Sequence, residues 1–213
     1  MNAKQAASAF PMPLFPLFPL LRAPVATLGF VLLTFACAVF ANPSNPHAIV
    51  PANAQEQAFL AQHGLADKTA PQIIDYLDKL DQNRPLSFTA SVTSNELKLG
   101  DGQNTYAYPL GDQFYLSIAP YISTTHPCFN HSLASCRAEL AGKSFEVTVK
   151  DTAGKVLREE KLTSYRNGFV GIWLPRNVSG TIDVKYNGRS ASASFATKSD
   201  SQTCLTTLKL ERK

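Results

Sequence analysis

The sequence predicts an α+β protein: a short N-terminal helical region followed by an antiparallel β-rich domain of the sandwich or barrel type. Three observations carry this. Helix-capping signals cluster between Asn53 and Leu80. From Leu86 onward the apolar residues recur at every second position. Turn sequences rich in Gly, Asn and Asp then punctuate those runs at close spacing.

Residues 1–41 read as a signal peptide. They hold Lys4 and Arg22 and no acidic residue, and the run from Ala23 to Ala41 is almost wholly apolar. Val39-Phe40-Ala41 is a small-x-small exit suited to cleavage before Asn42, so export is expected. Two alternatives stay open: retention as an anchor, since about 18 apolar residues approach a bilayer span, and lipidation at Cys37, although Thr34-Phe35-Ala36-Cys37 fits a lipobox poorly. The proline-rich start leaves Met12 as a second candidate initiator. Cleavage would leave roughly 170 residues, enough for one ordinary core.

Residues 42–83 are expected to form a lead-in and a helical region. NPSNPHAIVPAN (42–53) is rich in Pro and Asn. Asn53 can cap a first helix, with Glu56 at its third position and Gly64 closing it. Thr69-Ala70-Pro71-Gln72 is a second capping box with proline in the first turn. Beyond it Ile73, Ile74, Leu77 and Leu80 form an apolar stripe. Two helices this short need cover, so Ile73, Ile74 and Leu77 are expected to help form a contact between subunits.

Residues 84–213 are expected to be the β-rich domain. Candidate strands are 86–93, 96–99, 104–109, 113–121, 144–150, 155–164, 169–174, 181–186, 190–197 and 203–210. Gly100-Asp101-Gly102, Asp151-Thr152-Ala153-Gly154, Arg166-Asn167-Gly168 and Asn187-Gly188 supply turns between them. Trp173, in GFVGIWLP, reads as core. The rhythm breaks over 122–143, the longest stretch without strand character, and function tends to sit on such loops.

That loop holds Cys128 and Cys136, and Cys204 follows in Thr203-Cys204-Leu205-Thr206-Thr207. An exported chain works where thiols normally pair, so three is an odd number to retain. On a straight helix Cys128 and Cys136 would stand about 12 Å apart; Pro127 and Asn130 allow the segment to fold back. A strand at 203–210 would put Cys204, Thr206 and Leu208 on one face. Three thiolates suit Cu(I), a soft ion that accepts few ligands. Zinc is the rival, with His126 or His131 as a fourth ligand, though the C-x₂₋₄-C spacing of structural zinc sites is missing. The third alternative is a plain disulfide, Cys128–Cys136 being the easiest to close, with Cys204 buried. Threonines at 124, 125, 203, 206 and 207 surround the cysteines; they are common strand formers.

Composition excludes several functions. The net charge of +4 falls to about +2 without residues 1–41, which makes no electrostatic case for nucleic acid. No second apolar run is long enough to span a membrane. There is no G-x-S-x-G elbow, P-loop, G-x-G-x-x-G or H-E-x-x-H, so no enzyme class is indicated. Asn130-His131-Ser132 and Asn177-Val178-Ser179 match glycosylation sequons, as short chance matches do.

YISTTHPCFNHSLASC (121–136) and DSQTCLTTLKL (200–210) resemble the CueP family of periplasmic copper-binding proteins, as do AFLAQHGL, RPLSFTASV and SYRNGFVGIWLPR. The resemblance runs from about Gln55 to Leu210. It implies that Cys128, Cys136 and Cys204 are the copper thiols, with threonines around the metal. It also implies a small helical N-terminal region, a β-rich domain carrying the site, and a homodimer. The expected role is sequestration of Cu(I) in the periplasm for copper resistance, with delivery to a secreted enzyme such as a copper–zinc superoxide dismutase. The alternative role is thiol–disulfide redox chemistry or Cu(II) reduction by a Cys128/Cys136 pair.

Overall fold

Helix α1 (Ala54–Gln62) starts where Asn53 accepts the Glu56 amide on its Oδ1 at 2.9 Å, and ends before Gly64, whose φ of 67° suits the left-handed turn there. Helix α2 (Ala70–Lys79) begins with the reciprocal Thr69/Gln72 capping box. The structure is a computed structural model and describes residues 48–212. The signal-peptide reading of 1–41 lies outside them. Among the described residues no helix is long and apolar enough to cross a membrane.

Among the described residues twelve strands follow: β1 (Thr89–Val92), β2 (Glu96–Gly100), β3 (Thr105–Pro109), β4 (Gln113–Ile118), β5 (His131–Ser132), β6 (Ser144–Asp151), β7 (Val156–Thr163), β8 (Val170–Pro175), β9 (Ser179–Tyr186), β10 (Arg189–Ala196), β11 (Cys204–Leu205) and β12 (Glu211–Arg212). They make a four-stranded sheet in the order β3-β2-β1-β5, a five-stranded sheet β12-β10-β9-β6-β7, and a three-stranded sheet β11-β4-β8. Pairing is antiparallel except for β11 on β4. The described residues therefore form mostly antiparallel sheet, as the alternating pattern predicts, with two short helices before it.

Alternation decides which faces are buried. Phe145, Val147 and Val149 of β6 point inward with Ile182 and Val184 of β9, and meet Phe114, Leu116 and Ile118 of β4 and Ile172 of β8 in one cluster. A second cluster joins the helices to the first sheet. In it Ile73, Ile74 and Leu77 are at most 1% exposed and are packed with Leu60, Leu65, Val92, Leu97, Leu99 and Leu133. This corrects the expected subunit contact: the stripe is already covered by β1 and β2 of the same chain, so it has no face left for a partner.

Two expected elements change. The candidate strand 113–121 stops at Ile118, and 203–210 shrinks to Cys204–Leu205. Pro120 has no amide to donate, so the parallel ladder lapses beside it and resumes only as the Tyr121–Lys209 bridge. The loop expected to lack strand character also contributes β5, which pairs with β1 through Val92–His131 and Ser91–Ser132.

The C-terminus of α2 is closed from outside the helix. The Arg84 guanidinium, 5% exposed, donates to the carbonyls of Leu77 at 3.0 Å, Asp78 at 3.2 Å and Leu133. Replacing it strands buried acceptors, each worth about 1–3 kcal/mol when left unpaired. Arg84→Met should therefore destabilise the protein by roughly 3 kcal/mol in urea unfolding; a loss near zero would mean that water reaches those carbonyls.

Candidate metal centre

The loop from Ala119 to Lys143 is braced within itself by Glu139 and tied to the scaffold through Thr125, Phe129 and His131. Glu139 Oε2 accepts the amides of Ile122 and Ser123 at 2.9 Å and Thr124 at 3.1 Å. The Ser123 amide foremost, with those of Thr124 and Ile122, holds the Glu139 carboxyl below its ordinary pKa. Thr125 Oγ1 donates to Thr206 O at 2.8 Å. The Phe129 carbonyl accepts both Thr203 N–H at 2.9 Å and Cys204 N–H at 3.1 Å. Thr203, fully buried, donates to Val92 O at 2.6 Å and accepts the His131 amide at 3.0 Å. These threonines do more than form strands: Thr125 ties the loop to the Thr206 carbonyl, and Thr203 ties it to β1.

These clamps bring all three sulfurs together. Cys128 and Cys204 form a disulfide with Sγ–Sγ 2.11 Å and Cα–Cα 5.5 Å, and Cys136 is free and half-buried. Its Sγ stands 3.9 Å from that of Cys128 and accepts the Ser132 amide at 3.4 Å. The expected loop disulfide Cys128–Cys136 is thus corrected to Cys128–Cys204. The bonds from Phe129 set Cys128 directly against β11, whereas Cys136 is held apart by its own turn with Ser132, closed by Cys136 N to Ser132 O at 3.1 Å.

Among the described residues two sets of donor atoms lie within 4.8 Å of one another: His126, Cys128 and Cys136, and His131, Cys136 and Cys204. Cys136 belongs to both. An ion bound to three thiolates at about 2.3 Å, the zinc–sulfur distance, would hold them about 4 Å apart, which matches the Cys128–Cys136 spacing. One wall of the site is apolar: Phe169 and Ala119 are buried beside Cys204, and Phe169 meets the His131 ring at 4.6 Å and the His126 ring at 6.2 Å between centroids. Sulfur donors against an apolar wall suit a soft ion.

Behind the sulfurs lies a buried polar hub that sequence reasoning missed. Asp78 and His131 are both 0% exposed, with Nε2 to Oδ1 at 2.9 Å. Asp78 also accepts from Tyr115 OH at 2.6 Å and Asn167 Nδ2 at 2.6 Å. The other ring nitrogen of His131, Nδ1, faces Cys204 Sγ at 4.0 Å. Burial alone would push the imidazole down; the Asp78 charge and hydrogen bond, with the Cys136 sulfur, outweigh it and raise it to about 9. Burial likewise opposes the Asp78 charge, but His131, Tyr115 and Asn167 together hold its pKa below the ordinary value. One sequence signal pointed here: Asp78 follows Ile74 by one turn on the buried side of α2. Gly171 completes the hub, since a Cβ there would stand 1.8 Å from Tyr115 Oη and drive the phenol off Asp78.

Fold and site together define a β-rich protein with sulfur and imidazole donors grouped so that they can hold a metal ion. The chain belongs to the CueP family, the periplasmic copper-binding proteins. The family pattern described as "Periplasmic copper-binding protein CueP" matches residues 72–209. A solved structure described as "Crystal Structure of S.CueP" is similar over 76% of this chain and 100% of its own length, at 56% identity and a TM-score of 0.73. No curated protein matches the chain.

Proposed function

We propose that this protein holds Cu(I) in the periplasm on the thiolates of Cys128, Cys136 and Cys204, and so contributes to copper resistance. The observation that carries the reading is the convergence of three distant sulfurs against one apolar wall, with Cys136 Sγ 3.9 Å from Cys128 Sγ. The family's copper binding supports the choice of ion. Residues 1–41 then act as the export signal, 42–83 as lead-in and helical region, and 84–213 as the copper-binding domain. A three-coordinate ion lets an incoming ligand attach before another leaves, which suits hand-over to a secreted recipient such as a copper–zinc superoxide dismutase. The protein is proposed to act as a homodimer through a surface other than the α2 stripe.

The disulfide favours a second reading, in which the protein also reduces copper. Closing Cys128 and Cys204 from two thiolates releases two electrons, enough to take two Cu(II) to Cu(I), and leaves Cys136 free. The pair is then Cys128/Cys204 in place of Cys128/Cys136.

Both readings require thiolates, because the disulfide removes two of the three donors. Reduced protein should take up one Cu(I) per chain and keep it against a competing chelator. Protein oxidised at Cys128–Cys204 should surrender it. Equal retention by the two forms would refute three-sulfur binding.

A further inference from the structure

The three sulfurs are not equally accessible. Cys204 is fully buried in a cluster with Phe169 and Ala119, whereas His126, Cys128 and Cys136 are half-buried. An ion arriving from solvent therefore meets Cys128 and Cys136 before Cys204. At that outer edge the third donor within reach is His126, whose ring nitrogen lies within 4.8 Å of both sulfurs. His126 also lines a surface depression of about 240 Å³ with Thr124, Thr125, Arg137, Ala138 and Glu139. Its position is built rather than incidental. Glu139 gathers the three amides just before it, Thr125 is tied to Thr206, and its ring stands edge-on to Phe169.

We propose that His126 is a gateway ligand: Cu(I) first binds His126, Cys128 and Cys136 at the depression, then exchanges His126 for Cys204 to settle in the buried position. The inference rests on the three-sulfur reading above. In the exchange one Cu–N bond breaks and one Cu–S bond forms. Cys204 releases its thiol proton to water as it binds. Copper stays Cu(I), so no electron moves. Release runs through the same steps backwards, with His126 replacing Cys204 and a recipient's own soft donors then taking the ion from the depression.

A ligand used in passage and vacated at rest must alter uptake and release alike and leave their ratio unchanged. The test is stopped-flow transfer of Cu(I) to and from a chromogenic chelator, using reduced wild type and His126→Ala. Both rates are expected to fall about tenfold, the scale of losing one positioned partner at a metal site, with equilibrium retention unchanged. Unaltered rates in His126→Ala would overturn the gateway. A fall in equilibrium retention would also overturn it, by making His126 a resident ligand. Failure of the underlying reading looks different: wild-type protein itself would take up no Cu(I).

Discussion

Cys136→Ser should reduce Cu(I) retention by about 100-fold or more, since loss of a mere supporting partner at a metal site already costs 10–100-fold. Cys136 is the sulfur shared by both donor sets, and it is the one left free while Cys128 and Cys204 are joined. Without it, copper keeps two sulfurs at most and an open side toward solvent. The same replacement at Cys128 or Cys204 removes one sulfur and also abolishes the disulfide, so these variants should bind weakly without any prior reduction. Replacing Cys37 should change nothing. Chelator competition on reduced protein gives all four answers. Wild-type retention by Cys204→Ser would leave a two-cysteine site and end the three-sulfur account.

Removing the carboxylate of Asp78 should cost more stability than any other single change at the hub. Asp78→Ala leaves His131 buried without a counter-charge and strips the partners from Tyr115 and Asn167. Breaking a buried ion pair from one side costs roughly 3–5 kcal/mol. The effect should depend on pH with a definite sign. His131 is raised in the folded protein to about 9, so its contribution is whole below the ordinary imidazole pKa and fades as pH rises through about 9. Asp78 is lowered, so its contribution is present above the ordinary carboxylate pKa and fades as pH falls below it. Urea midpoints across pH in wild type and in His131→Gln would show this: the alkaline loss should appear only in wild type. A pH-independent wild type would place water around the pair.

Most of the scaffold was legible because its signals are local. Asn53 and Thr69 cap helices by contacts within four residues, and the alternation in SFEVTVKD of β6 is a direct record of one buried face. The site's three cysteines were legible as a group because an exported chain has few reasons to keep an odd number. What escaped reading depends on distance along the chain. The disulfide partner of Cys128 is 76 residues away, chosen by the Phe129 carbonyl's grip on β11. The hub joins Asp78 of α2 to Tyr115 of β4, His131 of β5 and Asn167 in a turn, which lie 37, 53 and 89 residues further along the chain. The stripe of α2 showed that Ile73, Ile74 and Leu77 need cover; periodicity carries no information on which chain provides it.

If the three sulfurs hold one copper ion together in place of a disulfide, the metal must shield all of them from modification. Mass spectrometry of copper-loaded protein from periplasmic extracts, alkylated before and after reduction and chelation, tests it most directly. Cys128, Cys136 and Cys204 should all resist alkylation while copper is present and all react once a chelator removes it, with no reductant needed. Recovery of an intact Cys128–Cys204 disulfide from copper-loaded protein, with Cys136 alkylated from the start, would contradict it.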